Sequence, residues 1–406
     1  MEHRHDGTTH GASGIGTFST ADKRAESQQA KARVALDCLA EQAGITINGS
    51  KPWDIQVRDE RFYEAVLGKW SLGLGEAYMD GYWECQRLDD CITRLLRTGL
   101  DSQVLGWARL PLIWGVMQAK FRNLQSKKRA FQVGERHYDT GNDIFENMLD
   151  SKLVYSCAYW EDAPDLEQAQ EHKLEMICRK LQLKAGETLL DIGCGWGGFM
   201  AYASRHYGVE ATGVTVSKEQ RQYALERYQD LPLKIELADY RDLQGQYDKI
   251  VSIGMFEHVG AKNYPTFFDT ARRLLKDDGL FLLHTIGNSS TTHTADPWIN
   301  RYIFPNGHIP SAARIAKALE GRFLIEDWHN FGQDYDRTLM AWYERFERAW
   351  PKLYSKYGER FHRMWKYYLL CCAGFFRSRQ GQLWQLVLTK REKTDAYRSL
   401  RLASLG

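Results

Sequence analysis

The spacing of apolar and polar residues divides the chain into a mainly helical first part and a second part in which strands and helices alternate. Residues 1–30 are polar and rich in Gly, Ser and Thr, which predicts a disordered leader. Helical spacing then prevails to about residue 129. We therefore expect a helical N-terminal domain over 31–125 and a second domain over 126–406.

Within the N-terminal domain, apolar spacing predicts helices over 32–40, around 59–70 and around 88–98, and a short strand at 45–50. An apolar stretch, 104–121, precedes five basic residues: Lys120, Arg122, Lys127, Lys128 and Arg129. An apolar helix beside a basic cluster is typical of a segment that lies on an anionic membrane surface. A buried helix followed by a solvated linker is the alternative, and the pattern leaves both open.

From about Glu187 onward, the sequence pattern predicts strands and helices that alternate along the chain. Predicted strands lie at 187–193, 209–216, 233–239, 247–254 and 279–286, and predicted helices at 198–207, 218–228 and 263–276. Two more strand candidates follow, at 323–328 and 383–389. Alternating strands and helices predict a Rossmann-like, doubly wound α/β domain with a parallel sheet and ligands at the carboxyl ends of its strands.

Composition narrows the class of protein. The chain has 406 residues and a formal net charge of +2, which argues against nucleic acid as a partner. Aromatic residues make up 13%, a share that suits either a rich core or a large apolar ligand. The longest apolar run, 367–376, is too short to cross a bilayer. The eight cysteines form no cluster with metal-ligand spacing, so we expect reduced thiols, no metal and a cytoplasmic protein.

A glycine-rich turn follows the first strand of the alternating part. The run D-I-G-C-G-W-G-G at 191–198 places Gly193, Gly195 and Gly197 before a helix, where the backbone can approach a nucleoside closely. Asp191 at the strand end is placed to meet an amino group of the ligand. Because the spacing is G-x-G-x-G, we predict a class I S-adenosylmethionine-dependent methyltransferase, with a purely structural glycine turn as the alternative.

Other cofactor contacts are expected at the next strand ends. The second strand ends without an acidic residue, so Thr215, Ser217 and Gln220 would supply neutral contacts, and Ser217 with Gln220 has the spacing of a capping box. Asp239 and Tyr240 after the third strand are placed for adenine.

Titratable groups follow the fourth strand. The run G-M-F-E-H-V-G at 254–260 carries Glu257 and His258 instead of the turn that receives a base in nucleic-acid methyltransferases. We expect Glu257 to lie in the ligand cleft, with capping of the following helix as the alternative.

Long motifs throughout the chain resemble the bacterial cyclopropane-fatty-acyl-phospholipid synthase family. They lie at 123–130, 137–143, 155–160, 190–198, 254–260, 282–287, 298–307 and 339–346, and the resemblance spans about residues 30 to 390. It implies addition of a methylene bridge from S-adenosylmethionine across a cis double bond of unsaturated acyl chains in membrane phospholipids. It also implies an N-terminal lipid-interaction domain, a peripheral position at the inner face of the membrane and a homodimer.

The resemblance carries site residues onto this chain. A bicarbonate pocket would fall on Cys157, Glu257, His284, Ile286 and Tyr335. Cofactor contacts would fall on Tyr155, Ser156, Gly193, Thr215, Gln220, Asp239 and Tyr240. Cys372 matches a cysteine proposed as a nucleophile in this family, but an alkene attacks a sulfonium methyl without a covalent enzyme intermediate, and a thiol buried in an apolar helix is usually inert.

Methyl transfer to an alkene leaves a carbocation, which aromatic faces stabilise. We expect Tyr335, with Trp328 or Phe331, to serve in this way, and bicarbonate held by Glu257, His284 and Tyr335 to take the ring-closing proton. An anion beside Glu257 then requires a compensating proton on His284 or a water. Formation of a methyl branch, methylation of a small amine and lipid binding without catalysis are the competing functions.

Overall fold

The computed structural model describes residues 33–99, 141–292 and 294–399. The predicted leader, the apolar stretch at 104–121, its basic cluster and the domain boundary at 125/126 lie outside these residues. Nine strands occur in the described part: β1 (Gln56–Val57), β2 (Trp83–Glu84), β3 (Thr188–Ile192), β4 (Glu210–Thr215), β5 (Leu233–Leu237), β6 (Tyr247–Ile253), β7 (Leu275–Asn288), β8 (Leu324–Asn330) and β9 (Gly381–Thr389).

Helices cover both faces of the larger sheet and form the N-terminal part. They are α1 (33–42), α2 (Arg61–Met79), α3 (Leu88–Arg97), α4 (Asn142–Met148), α5 (Leu166–Lys180), α6 (Gly198–Tyr207), α7 (Lys218–Arg227), α8 (Tyr264–Leu274), α9 (Pro297–Tyr302), α10 (Ala312–Leu319) and α11 (Gln333–Arg377). The predicted helices of the alternating part are confirmed within two residues at each end, since apolar spacing and end signals agree there.

The larger sheet has seven strands in the order β5-β4-β3-β6-β7-β9-β8. Strands β5, β4, β3, β6 and β7 are parallel, and β9 runs antiparallel between β7 and β8. The carboxyl ends of the five parallel strands therefore meet at one edge, as the α/β prediction required. The fold is that of class I S-adenosylmethionine-dependent methyltransferases with a helical N-terminal region.

The strand predicted at 45–50 is wrong. Only Ile47 makes a bridge there, to Ile55, while Asn48 has a left-handed φ of 58°. The Asp54 carboxylate accepts from the peptide N–H groups of Thr46 and Lys51 at 2.8 Å each. A side chain thus takes the hydrogen bonds that a neighbouring strand would have taken, and a compact loop forms.

The N-terminal helices pack on the long helix α11. Residues of α1, α2 and α3 share one hydrophobic core with α11, including Leu36, Phe62, Cys91 and Trp342. Helix α2 runs nine residues beyond the predicted 59–70, past a break at Trp70 where φ is 48°. Arg377 at the end of α11 pairs with three carboxylates, Asp89 and Asp90 of α3 and Asp336 of its own helix.

Candidate functional site

The glycine turn lies between β3 and α6 and opens on a large cavity. Gly193, Gly195 and Gly197 have φ values of 89°, 54° and 81°, the left-handed region that glycine adopts without strain. A Cβ on Gly193 would lie 2.6 Å from Met255, whereas a Cβ on Gly195 would meet nothing within 4 Å because it would enter the cavity. Gly197 is not among the cavity-lining residues and serves as the N-cap of α6.

Asp191, at the carboxyl end of β3, is buried and lines the same cavity. Its Oδ1 atom has no hydrogen-bond partner among the described residues. Burial raises the pKa of Asp191 to about 7, and the charge of nearby Lys173 opposes that rise. A buried carboxylate oxygen without a partner fits a cationic ligand group, such as the amino group of S-adenosylmethionine.

The loop that carries Tyr155 and Ser156 is fixed from below by α5. The Gln170 amide donates to the carbonyls of Val154 and Ser156 at 3.1 and 2.9 Å. The Lys173 ammonium donates to the Ser156 hydroxyl at 2.9 Å and is completely buried. Burial lowers the pKa of Lys173 to about 8.

Sequence reasoning missed Gln170 and Lys173. A signal existed: both lie on the same stripe of α5 as the buried Ala169 and Leu174, so a polar and a charged side chain interrupt an apolar face. Such an interruption indicates a buried polar contact.

The neutral residues after β4 form a small network. The Thr215 hydroxyl donates to the Gln220 side-chain oxygen at 3.0 Å, and both residues line the cavity. Ser217 accepts from the Gln220 peptide N–H, but its own N–H donates to Thr215. The predicted capping box is therefore only half formed, because the Gln220 side chain turns toward Thr215. Ser217 is not among the residues that line the cavity.

Asp239 and Tyr240 line the cavity beyond β5, with Tyr240 against Phe267. Arg241 binds both oxygens of the Asp239 carboxylate, at 2.7 and 2.6 Å. Asp239 therefore lines the cavity as one half of an ion pair, a point that the sequence did not indicate.

Glu257 lies beyond the end of β6, buried, and reaches across to β7. Its Oε1 atom accepts from the Ile286 peptide N–H at 2.6 Å, while Oε2 has no partner among the described residues. The helix-capping alternative is thereby wrong, because the carboxylate bonds to a strand. Burial raises the pKa of Glu257 to about 7, so the group can carry a proton at neutral pH. His258 beside it also lines the cavity, and burial lowers the pKa of His258 to about 4.

His284 lies on β7 two residues before Ile286, on the same face of the sheet. Its Nδ1 atom bonds to the Gln385 amide nitrogen at 3.2 Å, and its Nε2 atom has no partner among the described residues. Burial, with the charges of Lys173 and Lys180, lowers the pKa of His284 well below its ordinary value. This direction disfavours His284 as the carrier of the compensating proton. Glu257 is the group whose pKa permits it.

Tyr335 and the two predicted cysteines surround this edge of the cavity. Burial, together with nearby Cys157, Tyr155 and Glu257, raises the pKa of Tyr335 well above its ordinary value, so the phenol stays a hydrogen-bond donor. The Cys157 thiol is buried behind the cavity and donates to the Ala158 carbonyl. Cys372 lines the cavity, and burial raises the pKa of its thiol to about 12, which removes the thiolate that a nucleophile needs.

Two aromatic candidates occupy other places. Trp328 packs against Trp384 on the sheet, and Phe331 lies against the rings of His284 and Tyr159. Neither is among the residues that line the cavity, so the expectation that they face the reacting carbons is wrong. The aromatic rings that do line it are Phe62, Trp70, Tyr155, Trp196, Phe199, Tyr240, Trp298, Phe304, Tyr335, Tyr367, Tyr368, Phe375 and Phe376.

The cavity has a volume of about 1340 Å³ and runs from the glycine turn to the N-terminal helices. Its far end is lined by apolar side chains of α1, α2 and α3, among them Leu36, Leu39, Phe62, Val66, Ile92 and Leu95. A polar end and an apolar end are thus continuous, a shape that suits a cofactor beside a long apolar substrate.

Comparisons with known proteins agree with this geometry. The family model "Mycolic acid cyclopropane synthetase" matches residues 125–386. The cyclopropane-fatty-acyl-phospholipid synthase of Escherichia coli strain K12 is 56% identical over 358 residues, which cover 88% of this chain and 93% of the relative. A probable fatty acid methyltransferase of Pseudomonas putida is 35% identical over 66% of this chain and 72% of its own.

Solved structures give the same result. The cyclopropane synthase MmaA2 from Mycobacterium tuberculosis matches with a TM-score of 0.60 and 31% identity, over 64% of this chain and 98% of that one. The mycolic acid cyclopropane synthase CmaA1, complexed with SAH and CTAB, matches with a TM-score of 0.60 and 32% identity, over 64% and 98%. Coclaurine N-methyltransferase, at 23% identity and a TM-score of 0.64 over 78% and 99%, shares the fold.

Proposed function

The chain belongs to the mycolic acid cyclopropane synthetase family, and from this premise we propose that it forms cyclopropane fatty acids in membrane phospholipids. The enzyme, an S-adenosylmethionine-dependent methyltransferase, would add a methylene group to the cis double bond of an unsaturated acyl chain. The observation that carries the proposal is the continuity of the cavity, from the glycine turn to the apolar side chains of α1, α2 and α3.

An acyl chain needs such a continuous apolar path. Lifting some ten methylenes out of a bilayer into water would cost roughly 8 kcal/mol, at about 0.8 kcal/mol each. Side chains such as Leu36, Phe62 and Leu95 would offset that cost because they would surround the acyl chain with apolar surface. The same walls exclude water from the reacting double bond, which has no charge by which a general base could activate it.

Residues at the polar end are suited to hold the cofactor. The unpartnered oxygen of Asp191 would accept from its amino group, Gly193 and Gly195 would let the backbone approach it, and Thr215 and Gln220 would meet its sugar. When bound, S-adenosylmethionine supplies the one-carbon unit as an electrophilic methyl group. The Tyr155 and Ser156 loop, held by Gln170 and Lys173, would fix the orientation in which that methyl faces the alkene.

Ring closure requires that a proton leave the carbon just added to the acyl chain. In this proposal that C–H bond breaks and its electron pair closes the ring onto the cationic carbon, while bicarbonate, when bound, would supply the base for the proton. Protonated Glu257, His284 and Tyr335 all have hydrogen-bond donors for the anion, and the Ile286 N–H holds Glu257 in place. We assign the role of base to bicarbonate because Glu257 and Tyr335, which line this edge of the cavity, can both hold a proton at neutral pH and so act as donors.

The sequence also predicts a cytoplasmic enzyme that is peripherally bound to the inner face of the membrane and acts as a homodimer. No helix in the described part of the chain combines the length and apolar character needed to span a bilayer. Contact with an anionic surface would rest on the basic cluster. Replacing Lys127, Lys128 and Arg129 with Gln should weaken binding to anionic vesicles, measured by co-sedimentation, by about 1 kcal/mol per residue. The loss should be smaller at high salt, because salt screens the attraction. Unchanged sedimentation would make that segment a linker.

Analysis of phospholipids from cells expressing the chain tests the reaction. We expect unsaturated species to gain the mass of one CH2 group and to resist hydrogenation at that position. An inactive matched control is Glu257→Leu, expressed at the same level. An exocyclic methylene group on the acyl chain, or a methyl branch formed with a separate hydride donor, would show that the ring does not close, and either product or unchanged lipids would contradict the proposal.

A further inference from the structure

Behind the candidate anion site, a row of polar side chains crosses three strands. His284 on β7, Gln385 on β9 and His329 on β8 are direct neighbours in the register of the sheet. Gln385 and His284 are almost completely buried. Lys180, at the end of α5, has a fully buried side chain and bonds to two members of this row. None of His284, Gln385 and Lys180 is among the residues that line the cavity, whereas Ile286, two residues after His284 on β7, is.

The lysine determines which way the glutamine amide faces. Its ammonium group can only donate, and it donates to Oε1 of Gln385 at 2.9 Å. The amide NH2 group must therefore point the other way, where it lies 3.2 Å from Nδ1 of His284. An amide NH2 group can only donate as well, so Nδ1 must be the unprotonated nitrogen of the ring.

We infer that Lys180 and Gln385 are positioning residues that fix His284 in the neutral form with its proton on Nε2. The Nε2 atom has no hydrogen-bond partner among the described residues, so its N–H is unpaired in the buried layer directly behind the lining residue Ile286. The inference rests on the proposed function in one respect, that the ligand is bicarbonate. His284 then acts as a donor to the anion and not as a base.

The charged groups around the row agree with a neutral ring. Lys173 and Lys180 both disfavour a positive charge on His284, and burial disfavours it further, so the pKa of His284 is well below its ordinary value. Asp327 lies 3.5 Å from the Lys180 ammonium, and His329 Nδ1 lies 3.1 Å from it. Lys180 thus keeps its charge balanced by Asp327 while it orients Gln385.

The variant Gln385→Glu reverses the polarity of the contact with almost no change in shape. A carboxylate beside Lys180 retains the lysine as a partner, but it can only accept, so Nδ1 of His284 must carry a proton. The matched control is Gln382→Glu on the same strand. Its Oε1 atom already accepts from Asn330 and Trp384, so the control adds the same charge and leaves His284 untouched.

Nitrogen-15 NMR of histidine-labelled protein reads the tautomer directly, with the His284 signal assigned by its loss in His284→Gln. We expect protonated Nε2 in the wild type and in Gln382→Glu, and protonated Nδ1 in Gln385→Glu. The bicarbonate concentration for half-maximal activity should rise roughly 10- to 150-fold in Gln385→Glu alone, with cofactor affinity unchanged.

Protonated Nδ1 in the wild type, or the same His284 signal in wild type and Gln385→Glu, would overturn the inference. A tautomer change without any change in bicarbonate dependence would uphold the inference and overturn the bicarbonate role in the proposed function.

Discussion

The carboxyl ends of β3 and β6 each bury one carboxyl group, and burial raises the pKa of both Asp191 and Glu257 to about 7. Their neighbours differ. Lys173 acts on Asp191 and favours its charged form, whereas the groups that act on Glu257 are the neutral Ile286 amide and Thr285 hydroxyl. The same kind of side chain at the same edge of the sheet therefore suits ligands of opposite charge. Asp191 suits a cation, and protonated Glu257 suits an anion.

The largest expected effect separates the two carboxyl groups by function. Glu257→Leu removes the donor that would hold bicarbonate, the proposed base. Turnover should therefore fall by a factor of about 10² to 10⁴, which is the usual contribution of a positioned base. Its affinity for S-adenosylmethionine should stay near the wild-type value, because the cofactor end of the cavity is unchanged. Asp191→Asn should instead weaken cofactor binding roughly 10- to 150-fold, since it removes a charged hydrogen bond. Calorimetry and steady-state kinetics on both variants check this.

If Glu257→Leu weakened S-adenosylmethionine binding as strongly as Asp191→Asn, the assignment of Glu257 to an anion end and Asp191 to a cofactor end would be wrong. An unchanged circular dichroism spectrum and a single cooperative unfolding transition serve as the control for folding in both proteins.

The raised pKa of Glu257 should also affect the stability of the protein without any ligand. The folded pKa of Glu257 is raised from 4.5 to about 7, so its favourable contribution is present below the unfolded pKa and is lost as pH rises through about 7. Glu257→Gln does not titrate. The variant should match the wild type at pH 4 and exceed its free energy of unfolding by about 3 kcal/mol at pH 8. Denaturant unfolding at both values measures this, and an equal offset at both would contradict it.

The sequence predicted the cofactor end of the cavity, around Asp191, more completely than the anion end, around Glu257. Asp191, the glycine turn and Glu257 each follow a strand, and the carboxyl ends of parallel strands line the ligand site, so local pattern was enough. The partner of Glu257 was not predictable, because a helix cap and a cross-strand bond use the same carboxylate. Only the pairing of β6 with β7 decides between them.

The layer beneath the cavity was not predictable at all. Gln385 orients His284 from 101 residues away, and Lys180 acts from a third element. Their roles exist only in the register of β7, β9 and β8, which no local spacing specifies. The prediction of a strand at 45–50 was wrong for a related reason. The Asp54 carboxylate accepts the backbone N–H groups that a neighbouring strand would have bound, and the alternation of apolar residues carries no information about that contact.

At the cofactor end, a smaller effect tests whether the glycine turn faces the ligand. Gly195→Val should weaken cofactor binding roughly 10- to 150-fold, because its side chain would enter open cavity volume beside Asp191. Gly321→Val is the matched control: it has a left-handed φ of 74° and equally open surroundings, but it lies outside the cavity lining. Isothermal calorimetry should show a loss in the first variant only. Equal affinities in both would place the cofactor away from Gly195.

At the anion end, the last expected effect is a pH dependence of bicarbonate affinity. If bicarbonate binds to protonated Glu257, its affinity should be constant below the Glu257 pKa of about 7 and fall about tenfold per pH unit above it. The sign follows from charge, since ionised Glu257 both repels the anion and loses the proton that it donates. In Glu257→Gln, which keeps a donor and cannot ionise, the affinity should stay flat across the same range. Activity titrations with a fixed concentration of the bicarbonate ion from pH 6.5 to 9 measure this. A flat wild-type profile would mean that Glu257 is ionised when the anion binds, and the contrast with Asp191 would then disappear.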